Sequence, residues 1–333
     1  MSESGFFSGL LATTPAPAAL EITARRINAV SLAASRTITA HVSEPLPDGL
    51  VTPALNATNV HDHDALAAAI RAAVDRLSPR PRRVALVLPD TVAKVSLVRF
   101  EKTPARVQDL DQLIKWQMRK AAPFRIEDAQ VAWSESGPVD GGGREYLVVL
   151  ARRDVVESYE RACDAGGVHA GVVDIASLNI VNAALASQPS TTPGDWLLIH
   201  IAPGYATITV VRAGRVMFFR NRQFEGSAET DLDDLVHQTA MYHEDRLSGA
   251  AFARVVLSGA TTLGAASAER ARRQIEDRLG VKVEALNVLR GGVTVRDGTA
   301  AGPELMDNLA PAVGVLVRER SASARARAEQ VAS

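Results

Sequence analysis

The strongest constraint on this chain is a three-strand unit that occurs twice. From Asp195 to Gln223 it reads DWLLIHIAPGYATITVVRAGRVMFFRNRQ. Leu197–Ile199 is a short apolar run of the kind found in a buried strand. Ala202-Pro203-Gly204 breaks it, Thr207–Val211 is β-branched throughout, Ala213-Gly214 makes a second turn, and Val216–Phe219 follows. Near the N-terminus AALEITARRINAVSLAASRTITAHV has the same shape. Glu21-Ile22 corresponds to His200-Ile201 and Ala34-Ser35-Arg36 to Ala213-Gly214-Arg215, at one constant offset. Two distant copies of one unit predict a duplicated α/β fold with a cleft between its halves.

Composition narrows the function class. With 333 residues, 47% hydrophobic and 23% charged, the chain reads as a soluble globular protein of two or three domains. A formal net charge of -1 argues against a nucleic-acid binder. No apolar run reaches the ~18 residues of a membrane span. Gly5–Leu11 is too short for one and has no basic residue before it, so it does not read as a secretory signal. The single cysteine, Cys163, can form neither an internal disulfide nor a thiolate metal site.

Taken in order, residues 1–16 read as a flexible tail in which Phe6–Leu11 is the apolar stretch. Residues 17–90 and 175–194 make the first half, 91–174 an inserted module, 195–321 the second half, and 322–333 a frayed tail. Within the module, Val95–Phe100 reads as a strand. Thr103 is placed as the cap of a helix that has Pro104 at its first position and runs to Ala121. Its face is Val107, Leu110, Ile114, Met118 and Ala121. Gln130–Ser134 pairs with Glu145–Ala151, then a helix from Asp154 to Ala165 and a strand at Val168–Val173 complete an α+β unit. In the second half, Leu232, Leu235, Val236, Thr239 and His243 share one helix face. Glu304–Arg320 is read as helical but broken near Pro311.

This order resembles the actin-like (ribonuclease H-like) ATPase fold, in the branch with an inserted strand–helix–strand–strand module. Within it the chain looks like the type IV pilus assembly PilM family, related to the division protein FtsA. The residues that carry the likeness are VALVLPDTVAKVSLVRFEKTPARVQDLDQLIKWQMRKAAPFRIEDAQVAWS, with its Ala122-Pro123-Phe124, then GVVDIASLNIVNAAL, VVLSGATTLGA and NLAPAVGVLVR.

The resemblance implies ATP with Mg²⁺ in the cleft, but the phosphate loops depart from the family pattern, so no cofactor and no hydrolysis are expected. Actin-like ATPases carry Asp-Ile-Gly at these loops. Here the first is Glu21-Ile22-Thr23-Ala24-Arg25-Arg26 and the second His200-Ile201-Ala202-Pro203-Gly204-Tyr205. Pro203 has no N–H, and His200 stands where an oxygen ligand would suit Mg²⁺. The third loop, Ser258-Gly259-Ala260-Thr261, is closest to pattern. A degenerate nucleotide cleft would therefore use Thr23, Ala24, Arg25, Arg26, Gly204, Tyr205 and Ser258 to Thr261.

By the same resemblance the partner is a PilN-like bitopic inner-membrane protein, bound through its N-terminal cytoplasmic peptide. Contacts to pilus platform or motor proteins are implied too, and membrane contact would be indirect. Val98, Phe100, Met118 and Phe124 are the candidate peptide surface. The alternatives are a nucleotide-gated or active ATPase of this fold and a cytoplasmic component of a type II secretion platform. His61-Asp62-His63-Asp64 reads as a helix start rather than a metal site, and Cys163 as an inert thiol.

Overall fold

The computed structural model describes residues 15–139, 142–187, 193–296 and 302–332, so the expected N-terminal tail lies almost wholly outside the described residues. The first three-strand unit forms as an antiparallel meander, β1 (Ala18–Ile22), β2 (Arg26–Leu32) and β3 (Thr37–Pro45). Asp62 caps α1 (His63–Asp75), its carboxylate accepting the Ala65 N–H; the histidine–aspartate run is a helix start. Next, β4 (Arg83–Leu88) lies parallel to β1.

The inserted module follows. It consists of β5 (Ala93–Phe100), α2 (Val107–Met118), β6 (Ala129–Pro138) and β7 (Arg144–Arg152), in the sheet order β5-β7-β6. Leu110, Ile114 and Met118 pack from α2 onto Val98, Tyr146, Val148 and Leu150. The helix begins three residues later than Pro104 suggested, with Arg106 at the cap position and no side-chain capping bond. Val107, expected on the packed face, is exposed.

The module ends at Arg152, earlier than the sequence suggested. Next, α3 (Arg153–Ala165) packs on α1, and β8 (His169–Ile175) pairs with β4 in parallel. Parallel strands need a crossover, and the module interrupts that crossover rather than following it. Returning along the chain, α4 (Ala176–Ala186) leads to the second half.

That half repeats the first. Its strands are β9 (Asp195–Ala202), β10 (Tyr205–Arg212), β11 (Arg215–Gln223), β12 (Arg254–Ser258) and β13 (Val283–Ala285). Their order β11-β10-β9-β12-β13 matches β3-β2-β1-β4-β8. Even the irregularities correspond: register shifts between Ser31 and Leu32, and between Val210 and Val211, lie at the offset that relates Glu21 to His200. α5 (Ala228–Leu247) and α6 (Ala265–Leu279) cover one face, and Leu232, Leu235, Val236, Thr239 and His243 are buried as their spacing predicts.

The chain then returns to the first half. β14 (Thr294–Val295) adds to β3, and α7 (Pro303–Ala332) packs on β1, β2, β4 and α4. By packing, these belong to the first half, not the second. α7 passes through Pro311 unbroken and continues over the segment expected to fray. Proline costs a helix interior about 3 kcal/mol, while Leu309–Val317 is almost wholly buried apolar surface, and each large buried aliphatic side chain returns roughly 1.5–3 kcal/mol.

Candidate functional site

Duplication places the ends of β1 and β9 opposite each other across a cavity of about 420 Å³ between the halves. Three loops line it. In the first, the Thr23 N–H donates to the Arg26 carbonyl (2.9 Å), and the Thr23 hydroxyl oxygen accepts the N–H groups of Arg25 and Arg26 (3.3 and 3.0 Å). These N–H groups are consumed inside the turn. The second is the β9–β10 hairpin, where Gly204 takes a positive φ of 85°. In the third, Gly259 also has a positive φ, and a Cβ there would meet the Ile201 carbonyl oxygen at 1.9 Å; only glycine lets these two loops approach.

Asp307 on α7 closes that third loop. It accepts the Gly259 N–H (2.6 Å), the Ser258 hydroxyl (3.1 Å) and the Thr261 hydroxyl (3.2 Å). Across the cleft, Asp90, which follows β4 and is fully buried, accepts the Ser177 N–H (2.9 Å), the Ser177 hydroxyl and the Thr207 hydroxyl (2.8 Å). Its own N–H donates to the Tyr205 hydroxyl (3.2 Å).

Glu21 and His200 form the floor. Glu21 is 6% exposed and accepts the Asn28 amide (2.8 Å). Burial, outweighing the Asn28 hydrogen bond and reinforced by Asp90 and Asp307, pushes its carboxyl up to about 7. His200 is 5% exposed, and neither ring nitrogen has a hydrogen-bond partner. Burial holds its pKa below the usual value, against the opposing pull of Asp90, Asp307 and the Ser258 backbone.

The cleft gathers Thr23, Ala24, Arg25, Arg26, Gly204, Tyr205 and Gly259 as the sequence suggested. Three expected residues lie elsewhere. Ser258 is fully buried under Asp307, and Ala260 and Thr261 line a second, largely apolar cavity beside α6. Asn28, Asp90 and Asp307 went unread, because their meeting depends on strand pairing and on the return of α7 rather than on any local motif.

On the module, Val98 and Met118 are core residues, which removes them from the exposed surface proposed for them. Phe100 and Phe124 are half-buried against that core, and Trp116 is exposed. Cys163 is buried, and burial pushes its thiol up to about 12, as expected of an inert group. His243 is buried against Asp195 (2.5 Å), which Arg212 also grips through two hydrogen bonds (2.7 and 2.6 Å), at the far end of β9 from the cleft. Among the described residues no group of three or more metal-ligating side chains converges, and no helix is long and apolar enough to cross a membrane.

A family model described as type IV pilus assembly protein PilM matches residues 19–247. Among solved structures, one from a PilM–PilN type IV pilus biogenesis complex superposes with a TM-score of 0.73 at 18% identity, covering 92% of this chain and 98% of that one. The protein EutJ of ethanolamine utilization from Carboxydothermus hydrogenoformans gives 0.50 at 11% identity, with 92% and 90% covered. A Bacteroides thetaiotaomicron protein with an actin-like ATPase fold gives 0.50 at 8%, with 83% and 94% covered. No curated protein matches the sequence. The fold is therefore the actin-like one that the resemblance implied, built on the duplication.

Proposed function

Because the chain belongs to the type IV pilus assembly protein PilM family, we propose that it acts as a scaffold of pilus assembly, peripheral to the inner membrane. In this reading it binds the N-terminal cytoplasmic peptide of a PilN-like membrane protein and links it to platform or motor components. The observation that carries the reading is the family match, which runs from residue 19 through the inserted module and into the second half as far as residue 247. The likeness to a chain solved as part of a PilM–PilN complex supports it.

The module offers suitable chemistry. β5 and β6 are the edges of its three-stranded sheet, and an extended peptide adds to an edge through main-chain hydrogen bonds while pockets select alternate side chains. Phe100 and Phe124 are the apolar contacts, with Val98 and Met118 supporting them from the core. Nucleotide is not needed for this role. The N–H groups of Thr23, Arg25, Arg26 and Gly259 already have partners inside the protein, which favours a scaffold over an ATPase.

The test is a fluorescence anisotropy titration with the N-terminal cytoplasmic peptide of a PilN-like membrane protein. Saturable binding is expected, weakened about tenfold or more, roughly 1.4 kcal/mol, by Phe124→Ala. Full-affinity binding to Phe100→Ala/Phe124→Ala would move the site off the module. No binding at all would remove the scaffold reading in this form.

A further inference from the structure

The loop after β12 aims three donors at one point, and the chain itself supplies the acceptor. The Gly259 N–H and the Ser258 hydroxyl reach one oxygen of Asp307 (2.6 and 3.1 Å), and the Thr261 hydroxyl reaches the other (3.2 Å). Donors that converge in this way on both oxygens of a carboxylate form a cradle for an oxyanion. Cradle and occupant come from different parts of the fold. The loop belongs to the second half, whereas α7 packs on the first, where the Asn308 carbonyl accepts the Asn28 amide (3.2 Å).

Asp307 also stands between two cavities. It lines the cleft of about 420 Å³ together with Gly259 and Thr262, and it lines the second cavity, about 830 Å³, together with Ala260 and Thr261. Its bonds to the loop are therefore part of the wall that separates them. Asp307 is half-buried, so solvent reaches it. The helical turn that carries it is held by one bond fewer than usual. Pro311 lies four residues further on in α7 and has no N–H to donate to the Asp307 carbonyl. Beyond that turn, Leu309–Val317 is anchored by burial.

We propose that Asp307 is an internal latch. Its carboxylate occupies an oxyanion site built by Ser258, Gly259 and Thr261, keeps free oxyanions out of it, and closes the passage between the two cavities. This inference is independent of the peptide surface on the module. Removing the side chain leaves the three donors unmatched beside two open cavities, and a small oxyanion, a carboxylate or inorganic phosphate, takes the vacated place. Glu21 and Asp90 are the nearby carboxylates and already coexist with Asp307. A singly charged ion that replaces Asp307 adds no negative charge to theirs.

The experiment compares the full chain with Asp307→Ala in thermal melts and calorimetry, using acetate, inorganic phosphate and, at matched ionic strength, chloride. Asp307→Ala is expected to melt below the parent. Acetate or phosphate should raise its melting temperature saturably, by about 2–4 °C more than it raises the parent's, and chloride should not. Adding Thr261→Val removes one donor and should weaken that binding about tenfold. A side chain needed only for packing would not be replaced by a free ion. Should Asp307→Ala fail to fold with or without these ions, hydrogen exchange of the Gly259 amide in the unaltered protein is decisive. It should be slow without added oxyanion and unchanged by acetate or phosphate, and a change with either ion overturns the proposal. The proposal is also overturned if neither ion stabilises Asp307→Ala beyond the parent, if Thr261→Val leaves the binding intact, or if the parent binds acetate or phosphate as tightly as Asp307→Ala does.

Discussion

Glu21 is where a single residue works against the stability of the fold. Its carboxyl rises from 4.5 to about 7 because burial disfavours the charged form. Between those values the folded state holds a proton that the unfolded chain has released. The contribution is present below pH 4.5 and is lost as pH climbs to about 7. A shift of this size corresponds to about 3 kcal/mol, an order-of-magnitude value. Glu21→Gln keeps the shape and removes the titration. Urea denaturation should therefore show the variant gaining about 3 kcal/mol on the parent between pH 4.5 and pH 8. An equal difference at both pH values would mean that Glu21 is ionised at no extra cost in the native cleft.

At the scale of elements, α7 shows packing overruling local preference. Pro311 sits inside it without breaking it, and three residues on Gly314 faces the backbone of α4. A Cβ at Gly314 would stand 1.9 Å from the Asn179 carbonyl oxygen, so the two helices touch through their backbones. Glycine to alanine inside a helix ordinarily stabilises by up to about 1 kcal/mol. Here overpacking reverses the sign, and Gly314→Ala should destabilise by about 1–3 kcal/mol. Gly226, with ordinary φ and open space around its Cβ position, is the control. Thermal melts should separate the two variants, and a neutral Gly314→Ala would show that α4 and α7 can move apart freely.

For the whole molecule, Asp90 is one of the residues that bridge the halves, as Asp307 does at the Gly259 loop. Asp90 belongs to the first half, as does its partner Ser177, while Thr207 and Tyr205 come from the second. Asn221 extends the network by donating to the Thr207 hydroxyl (2.9 Å). Hydrogen bonds to a buried carboxylate are worth about 1.5–3 kcal/mol each. Asp90→Asn should therefore lower stability by about 2 kcal/mol or more and speed amide exchange at Ser177. Combined with Thr207→Val it should fall short of additivity, since both changes break one contact. Strict additivity would place the joint between the halves elsewhere.

The amino-acid sequence alone determined the duplication, the strand order within each meander, the buried face of α5 and the presence of an inserted unit. All of these follow from local periodicity, turn residues and a repeated offset, which act over a few residues. It also marked the two loops facing each other across the cleft, because a repeated fold must place repeated positions in register. The tertiary structure alone decided where the module ends, which half claims β14 and α7, and which side chains complete the cleft. β8 pairs with β4 rather than within the module because parallel pairing joins segments far apart in the chain. Asp307 reaches the Gly259 loop for the same reason. The start of α2 moved past Thr103 to Val107, and Val98 and Met118 went into the module core. For Val98 and Met118 contacts distant in sequence outweighed the local preference, and such contacts exist only once the chain has closed on itself.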